Sequence, residues 1–129
     1  MTIIDTSVMV AFLKGSPDTV NKIDELTKNG KVAITTITYY ELLKGASLSL
    51  MRQENLLEIT KLITNMVIVD LSLEACAEAA EIYRELKEDG RLIGEFDIII
   101  AAIARTNHEA LLTLDKHFKS VRGLELTNW

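Results

Sequence analysis

The chain contains one cysteine (Cys76), one proline (Pro17) and six glycines among 129 residues. A single thiol excludes an intrachain disulfide, so an apolar core must hold the fold, and such usage suits a reducing cytoplasm. Cys76 stands in an alanine-rich helical stretch, where a lone cysteine reads as a small buried apolar residue. So little Pro and Gly favours long helices over a succession of hairpins. Basic residues are also scarce, 14 against 19 acidic, giving a net charge of −5. That balance argues against a protein that coats nucleic acid through Lys and Arg. It agrees with an enzyme whose acids recruit a divalent ion that then faces phosphate. No apolar run reaches the roughly 18 residues a membrane span requires. The opening MTIIDTS lacks the basic start of a secretory signal. A soluble cytoplasmic chain with no membrane partner is expected.

With 48% apolar and 26% charged residues, a single domain over residues 1–129 is expected, folded without structural metal. Short β-type runs recur at residues 2–4, 31–34, 66–69, 110–113 and 124–126. Helical spacing fills the intervals. One amphipathic helix runs from about Asp18 to Asn29 and Gly30, and another from Ser72 to about Asp89. Leu73, Cys76, Ala77, Ala80, Tyr83 and Leu86 form the expected core stripe of the second. Strands alternating with helices imply a parallel sheet covered on both faces, a three-layer α/β/α domain. Ile3 and Ile4 are apolar at consecutive positions, as befits a strand buried on both sides. Ligands of such sheets bind at the carboxyl ends of the strands, where strand order reverses.

Four acids stand where that rule directs attention. Asp5 follows the first strand and precedes an apolar helix at residues 8–13, and Asp115 follows the strand near residues 112–114. Asp97 opens the buried helix of residues 98–104 in GEFDIIIAAIA, and Glu41 lies near the first turn of the helix in TTITYYELLKG. Each has a plain structural explanation: Asp is a favoured N-cap, worth about 1 kcal/mol, and Thr38 with Glu41 has the spacing of a capping box. Capping and catalysis are compatible, and all four fall on one edge of the sheet. Two carboxylates about 4 Å apart repel by roughly 4 kcal/mol at an effective dielectric near 20, so such a cluster calls for a cation. Oxygen-only ligands select Mg²⁺ or Mn²⁺. Zinc is disfavoured, since His108 and His117 lack a second ligand at zinc spacing. His117, two residues after Asp115, faces either solvent or substrate.

The segments IIDTSVMV, ITYYELLKG, IGEFDIIIAAIA and LLTLDKHFKSVRGLELTNW resemble, in order, the four motifs of PIN-domain ribonucleases, especially the VapC toxins of toxin–antitoxin pairs. The resemblance implies a PIN-like α/β/α sandwich around a mostly parallel five-stranded sheet. It implies a Mg²⁺-dependent endoribonuclease, with Mn²⁺ able to substitute, that cleaves RNA to leave a 5′-phosphate and a 3′-hydroxyl. Asp5, Glu41, Asp97 and Asp115 match the family's catalytic acids; Asp5 and Asp97 match the direct metal ligands, and Glu41 and Asp115 complete the pocket. Ser7 and Thr113 match small polar residues beside the acids, and read equally well as cap and strand-end residues. The implied partners are a structured RNA such as tRNA or an rRNA loop, a cognate antitoxin, and a second copy in a homodimer. Glu95, an extra acid two residues before Asp97, points either to solvent or into the pocket.

Other readings meet the motifs less well. A receiver domain wants an acidic pair after the first strand, and a haloacid-dehalogenase phosphatase wants Asp where Ser7 stands. A non-catalytic PIN-like module that binds RNA or a partner predicts a missing acid, and all four are present. Lys14, Lys44, Arg52, Lys116, Lys119 and Arg122 lie near the motifs as candidates to flank an RNA cleft, or as solvated surface.

Overall fold

The computed structural model describes all residues, 1–129. Successive side chains of a strand point to opposite faces, and here both faces are apolar. Strand β1 (Thr2–Ile4) sends Ile3 into one core and Ile4 into a second. In β2 (Val32–Thr35), Ala33 joins the first core while Val32 and Ile34 join the second. Strands β3 (Val67–Val69) and β4 (Ala110–Leu112) complete an all-parallel sheet in the order β3-β2-β1-β4. Leu111 and Leu112 of β4 again divide between the two cores. Two cores on one sheet make three layers.

The second core is closed by α1 (Thr6–Leu13) through Val8 and Met9, α3 (Thr36–Ser47) through Leu42 and Ala46, and α4 (Arg52–Ile63) through Ile59. Helix α2 (Pro17–Asn29) leans on the same core with Ile23 and Leu26. Its Pro17 is placed where a missing N–H costs nothing. Gly15, at φ +79°, turns the chain after α1, its N–H donating to Phe12 O at 2.9 Å; a left-handed residue here satisfies the helix's last carbonyls. The first core is closed by α5 (Leu73–Glu88) and α6 (Glu95–Thr106). Helix α6 buries Ile98, Ile100 and Ile103 together with three alanines, because α5 packs across its outer side. Each such isoleucine contributes about 1.5–3 kcal/mol. A short 3-10 helix (Lys116–Ser120) buries Phe118. No helix is long and apolar enough to cross a membrane.

Strand order fixes where the site must be. The chain starts at β1, steps outward through β2 and β3, then returns to lay β4 on the other side of β1. The reversal lies between β1 and β4, and the crevice at their carboxyl ends is the place for a ligand.

Several expectations need correction. The sheet has four strands, not five. Residues 124–126 supply only one bridge, Leu126 beside Leu111. Leu111 N–H donates to Glu125 O and Thr127 N–H donates to Leu111 O, each at 2.9 Å. Gly123, at φ +71°, bends the chain just beforehand, leaving too short a run alongside β4 for a ladder. The stripe on α5 is also out of phase. The inward side carries Ala75, Ile82 and Leu86, with Ala79 partly buried, whereas Leu73, Cys76, Ala77, Ala80 and Tyr83 face outward. In an alanine-rich helix two adjacent arcs satisfy the same spacing, and it is the arc of Ile82 and Leu86 that meets the core, leaving the equally large Leu73 and Tyr83 outside. Cys76 is therefore exposed rather than buried.

Candidate functional site

Asp5 leaves β1 and caps α1, its Oδ1 accepting the Val8 N–H at 3.0 Å and the Ser7 hydroxyl at 2.7 Å. Its Oδ2 accepts the Thr113 hydroxyl at 2.5 Å. The side chain is buried, and burial pushes its carboxyl above the usual range against the pull of these three hydrogen bonds. Ser7 and Thr113 do more than touch Asp5. Ser7 Oγ accepts Leu114 N–H at 3.2 Å, and Thr113 Oγ1 accepts Asp115 N–H at 2.9 Å. Two hydroxyls thus fasten the end of β1 to the turn after β4. Each carboxylate oxygen retains lone-pair capacity beyond these bonds.

Asp115 caps the 3-10 helix, its Oδ1 accepting His117 N–H at 2.9 Å and lying 2.8 Å from His117 Nδ1. His117 is thus largely exposed and turned back onto Asp115. Asp97 does not open its helix as expected: α6 begins at Glu95 with Gly94 as cap, which places Asp97 in the first turn. An acid there is favoured by the helix dipole. Its carboxyl is nevertheless pushed up to about 6, first by burial and then by the charges of Asp115, Glu41 and Asp5. Four acids from four separate elements thus share one electrostatic neighbourhood.

Glu41 lies in the second turn of α3, and the capping-box expectation fails. Thr35 is the cap, accepting Thr38 N–H at 3.1 Å. Glu41 Oε1 instead lies 2.7 Å from Thr6 Oγ1, which is 3.1 Å from Thr38 Oγ1. A hydroxyl has one proton, so Thr6 donates to the carboxylate and accepts from Thr38. Thr6 was not anticipated from the sequence, because no periodicity marks the first residue of a buried helix as facing a neighbouring one. Its only signal is its place between Asp5 and Ser7.

A depression of about 270 Å³ opens between Glu41, Gly94, Glu95, Phe96 and Asp97, so Glu95 lines the acidic side of the molecule. Beside it Tyr40 and Phe96 meet edge to face, centroids 5.7 Å apart, with Lys44 Nζ 5.5 and 5.6 Å from the two rings. A groove of about 370 Å³ between α1, α3 and α4 runs up to Glu41, lined by Val10, Leu13, Leu42 and Ile59.

The donors are all oxygens and their charges oppose one another, which suits a hard divalent cation. The spacing is open: no three His, Cys, Asp or Glu side chains close into a ligand set on their own. Mg²⁺ tolerates this, since it keeps several of its waters and takes one or two carboxylates rather than a full protein cage.

Residues 2–124 match the family model described as PIN domain. The chain is 31% identical over 128 residues to Ribonuclease VapC2 of Rickettsia felis, covering 98% of this chain and 96% of that protein. It is 31% identical over 127 residues to the tRNA(fMet)-specific endonuclease VapC of Shigella flexneri, with the same coverage. Among solved structures, VapBC2 from Rickettsia felis, bound to a DNA fragment from its promoter, superposes with TM-score 0.92 at 30% identity. That match covers 99% of this chain and 98% of the other. DNA-bound VapBC from Salmonella typhimurium gives TM-score 0.91 at 25% identity, covering 99% and 97%.

Proposed function

The chain belongs to the PIN-domain family as a VapC-type toxin ribonuclease, and on that premise we propose that Asp5, Glu41, Asp97 and Asp115 hydrolyse RNA phosphodiesters with Mg²⁺ or Mn²⁺. The observation that carries this reading is geometric: Thr113 ties Asp5 to Asp115 at the ends of β1 and β4, and Glu41 and Asp97 line one depression. Asp5 and Asp97 are the residues to hold the ion. When bound, a divalent ion acidifies water and neutralises charge developing on the phosphate. Glu41 or Asp115 orients the attacking water or takes its proton. Thr6 fixes the Glu41 carboxylate for that task, and Ser7 and Thr113 fix Asp5 against Asp115. The substrate is RNA, with a structured RNA such as tRNA as the first class to test.

Two surfaces suit the expected protein partners. The groove between α1, α3 and α4 ends at Glu41, so an antitoxin segment laid there reaches the carboxylates. The outward side of α5, where Cys76, Ala80 and Tyr83 meet Ile99 of α6 around a hollow of about 470 Å³, is our candidate for a homodimer contact. Analytical ultracentrifugation of the parent and Tyr83→Glu tests the latter.

The deciding experiment is calorimetric titration of Mn²⁺ into metal-free protein and into Asp97→Asn, with an RNA cleavage assay on both. Binding and cleavage in the parent, both lost in a folded variant, are expected. Cleavage that persists in EDTA and in Asp97→Asn would refute the metal-carboxylate reading.

A further inference from the structure

We propose that Trp129, Lys116 and Lys119 form a nucleotide subsite beside the carboxylates, in which a base of the RNA stacks on the indole and its phosphate meets the two ammonium groups. This rests on the nuclease reading above. A hollow of about 340 Å³ is walled by Trp129, Lys116, Lys119, Asn128, Thr113 and Asp115, among others. That volume lies at the small end of ligand pockets, roughly 300–1,000 Å³, and suits one nucleotide better than a folded protein element.

The indole is both available and fixed. Trp129 is 48% exposed, yet its Nε1–H donates to the Thr113 carbonyl at 2.9 Å. A large ring whose polar edge is satisfied by backbone can present its apolar surface without losing much freedom on binding. Thr113 is the residue whose hydroxyl donates to Asp5. One residue therefore carries the stacking ring on its carbonyl and a catalytic acid on its side chain.

Lys116 and Lys119 are three apart in a 3-10 helix, where such positions eclipse and share a side. Neither enters an ion pair, whereas Arg84, Arg105 and Arg122 all do. Two free cations next to an acidic site, in a chain of net charge −5, fit a polyanion that must approach that site. An aromatic ring with adjacent cations is how single strands are held without base-edge reading.

Trp129 is the only tryptophan, so its emission reports the subsite directly. Metal-free parent protein in EDTA is titrated with a mixed-sequence single-stranded oligoribonucleotide. The anisotropy of a labelled copy of the strand reads binding independently. Saturable quenching that tracks the anisotropy is expected. In cleavage assays, Trp129→Ala should raise KM about five- to hundred-fold with kcat nearly unchanged, and Trp129→Phe should restore most of the loss. Lys116→Ala with Lys119→Ala should reduce the magnitude of the slope of log affinity against log salt by about 1.4. Binding with unchanged emission, or a folded Trp129→Ala with the parent's KM, overturns the subsite and leaves the nuclease reading intact. Equal quenching by an acidic peptide of matched charge also overturns it, in favour of a protein occupant. RNA that is neither bound nor cut by the parent removes the nuclease reading and the subsite with it.

Discussion

Replacing Asp97 by Asn should stabilise the metal-free protein while abolishing its activity. The Asp97 carboxyl is raised from 3.8 to about 6, so the folded state holds its proton more tightly than the unfolded chain does. Stability then falls as pH rises through that interval: the penalty is absent below 3.8 and complete above about 6. The gap corresponds to at most about 3 kcal/mol. Asp97 is only half-buried, and solvent screening reduces this to about 1–2 kcal/mol. Asn also forgoes the favourable placement of a negative charge in the first turn of α6, about 0.3–1 kcal/mol. The net gain lies between about 0 and 1.7 kcal/mol, centred on about 1 kcal/mol, where like charges and burial outweigh the helix dipole. Urea denaturation in EDTA at about pH 8 should place the variant's midpoint about 0.5 M higher, given slopes of roughly 1–3 kcal/mol per M. Near pH 4 the advantage should largely vanish, since Asp97 is then mostly protonated in the parent too. Mg²⁺ at a hundred times its Kd should stabilise the parent alone, by about 2.7 kcal/mol, and reverse the order. A variant less stable than the parent at pH 8, or a gap that does not close in acid, would refute the convergence of the four acids.

Thr113→Val removes the donor to Asp5 and the acceptor for Asp115 N–H together. It should cost about 1–3 kcal/mol of stability and weaken Mn²⁺ binding measured by calorimetry. Thr6→Val frees Glu41 from its one side-chain donor; kcat should fall about tenfold or more with KM little changed, as steady-state cleavage would show. His108 holds a left-handed φ of 54° at the end of α6, which costs a non-glycine residue about 1–2 kcal/mol. His108→Gly should therefore raise stability by about 0.5–1 kcal/mol in thermal melts, without changing the cleavage rate.

The sequence exposes features that depend on one residue and its immediate neighbours. Ile3 and Ile4 reveal a strand with two buried faces, and Asp5 reveals the start of a helix, because alternation and capping are local rules. Asp5 and Asp115 follow from the same rules applied at the ends of β1 and β4, whereas Asp97 lies in a helix that follows α5 rather than a strand. What escapes is whatever depends on how elements meet. Thr6 reaches Glu41 only because α1 and α3 lie side by side over one core. The exposed stripe of α5 is invisible because alanines leave the helix's rotation undetermined until the arc of Ile82 and Leu86 meets the core. Glu41 sits a turn deeper than expected because Thr35, still in the strand by composition, takes the capping role. Trp129 gave no signal, since its hydrogen bond spans 16 residues to a backbone carbonyl.

Strand β4 lies at the margin of the sheet, with β1 on one side and only the two bonds to Glu125 and Thr127 on the other. Beyond it hang Thr113, Asp115 and Trp129. The last stretch of chain is in effect a latch on the working end of the protein. Local openings have their own free energies, smaller than that of global unfolding, and a latch of two backbone bonds, the Trp129–Thr113 bond and the packing of Leu124 and Leu126 lies below the global value. Mild heat or denaturant would then disarm the enzyme while most of its helices still stand, and amide exchange at Leu111 and Thr127 would rise with the loss of cutting.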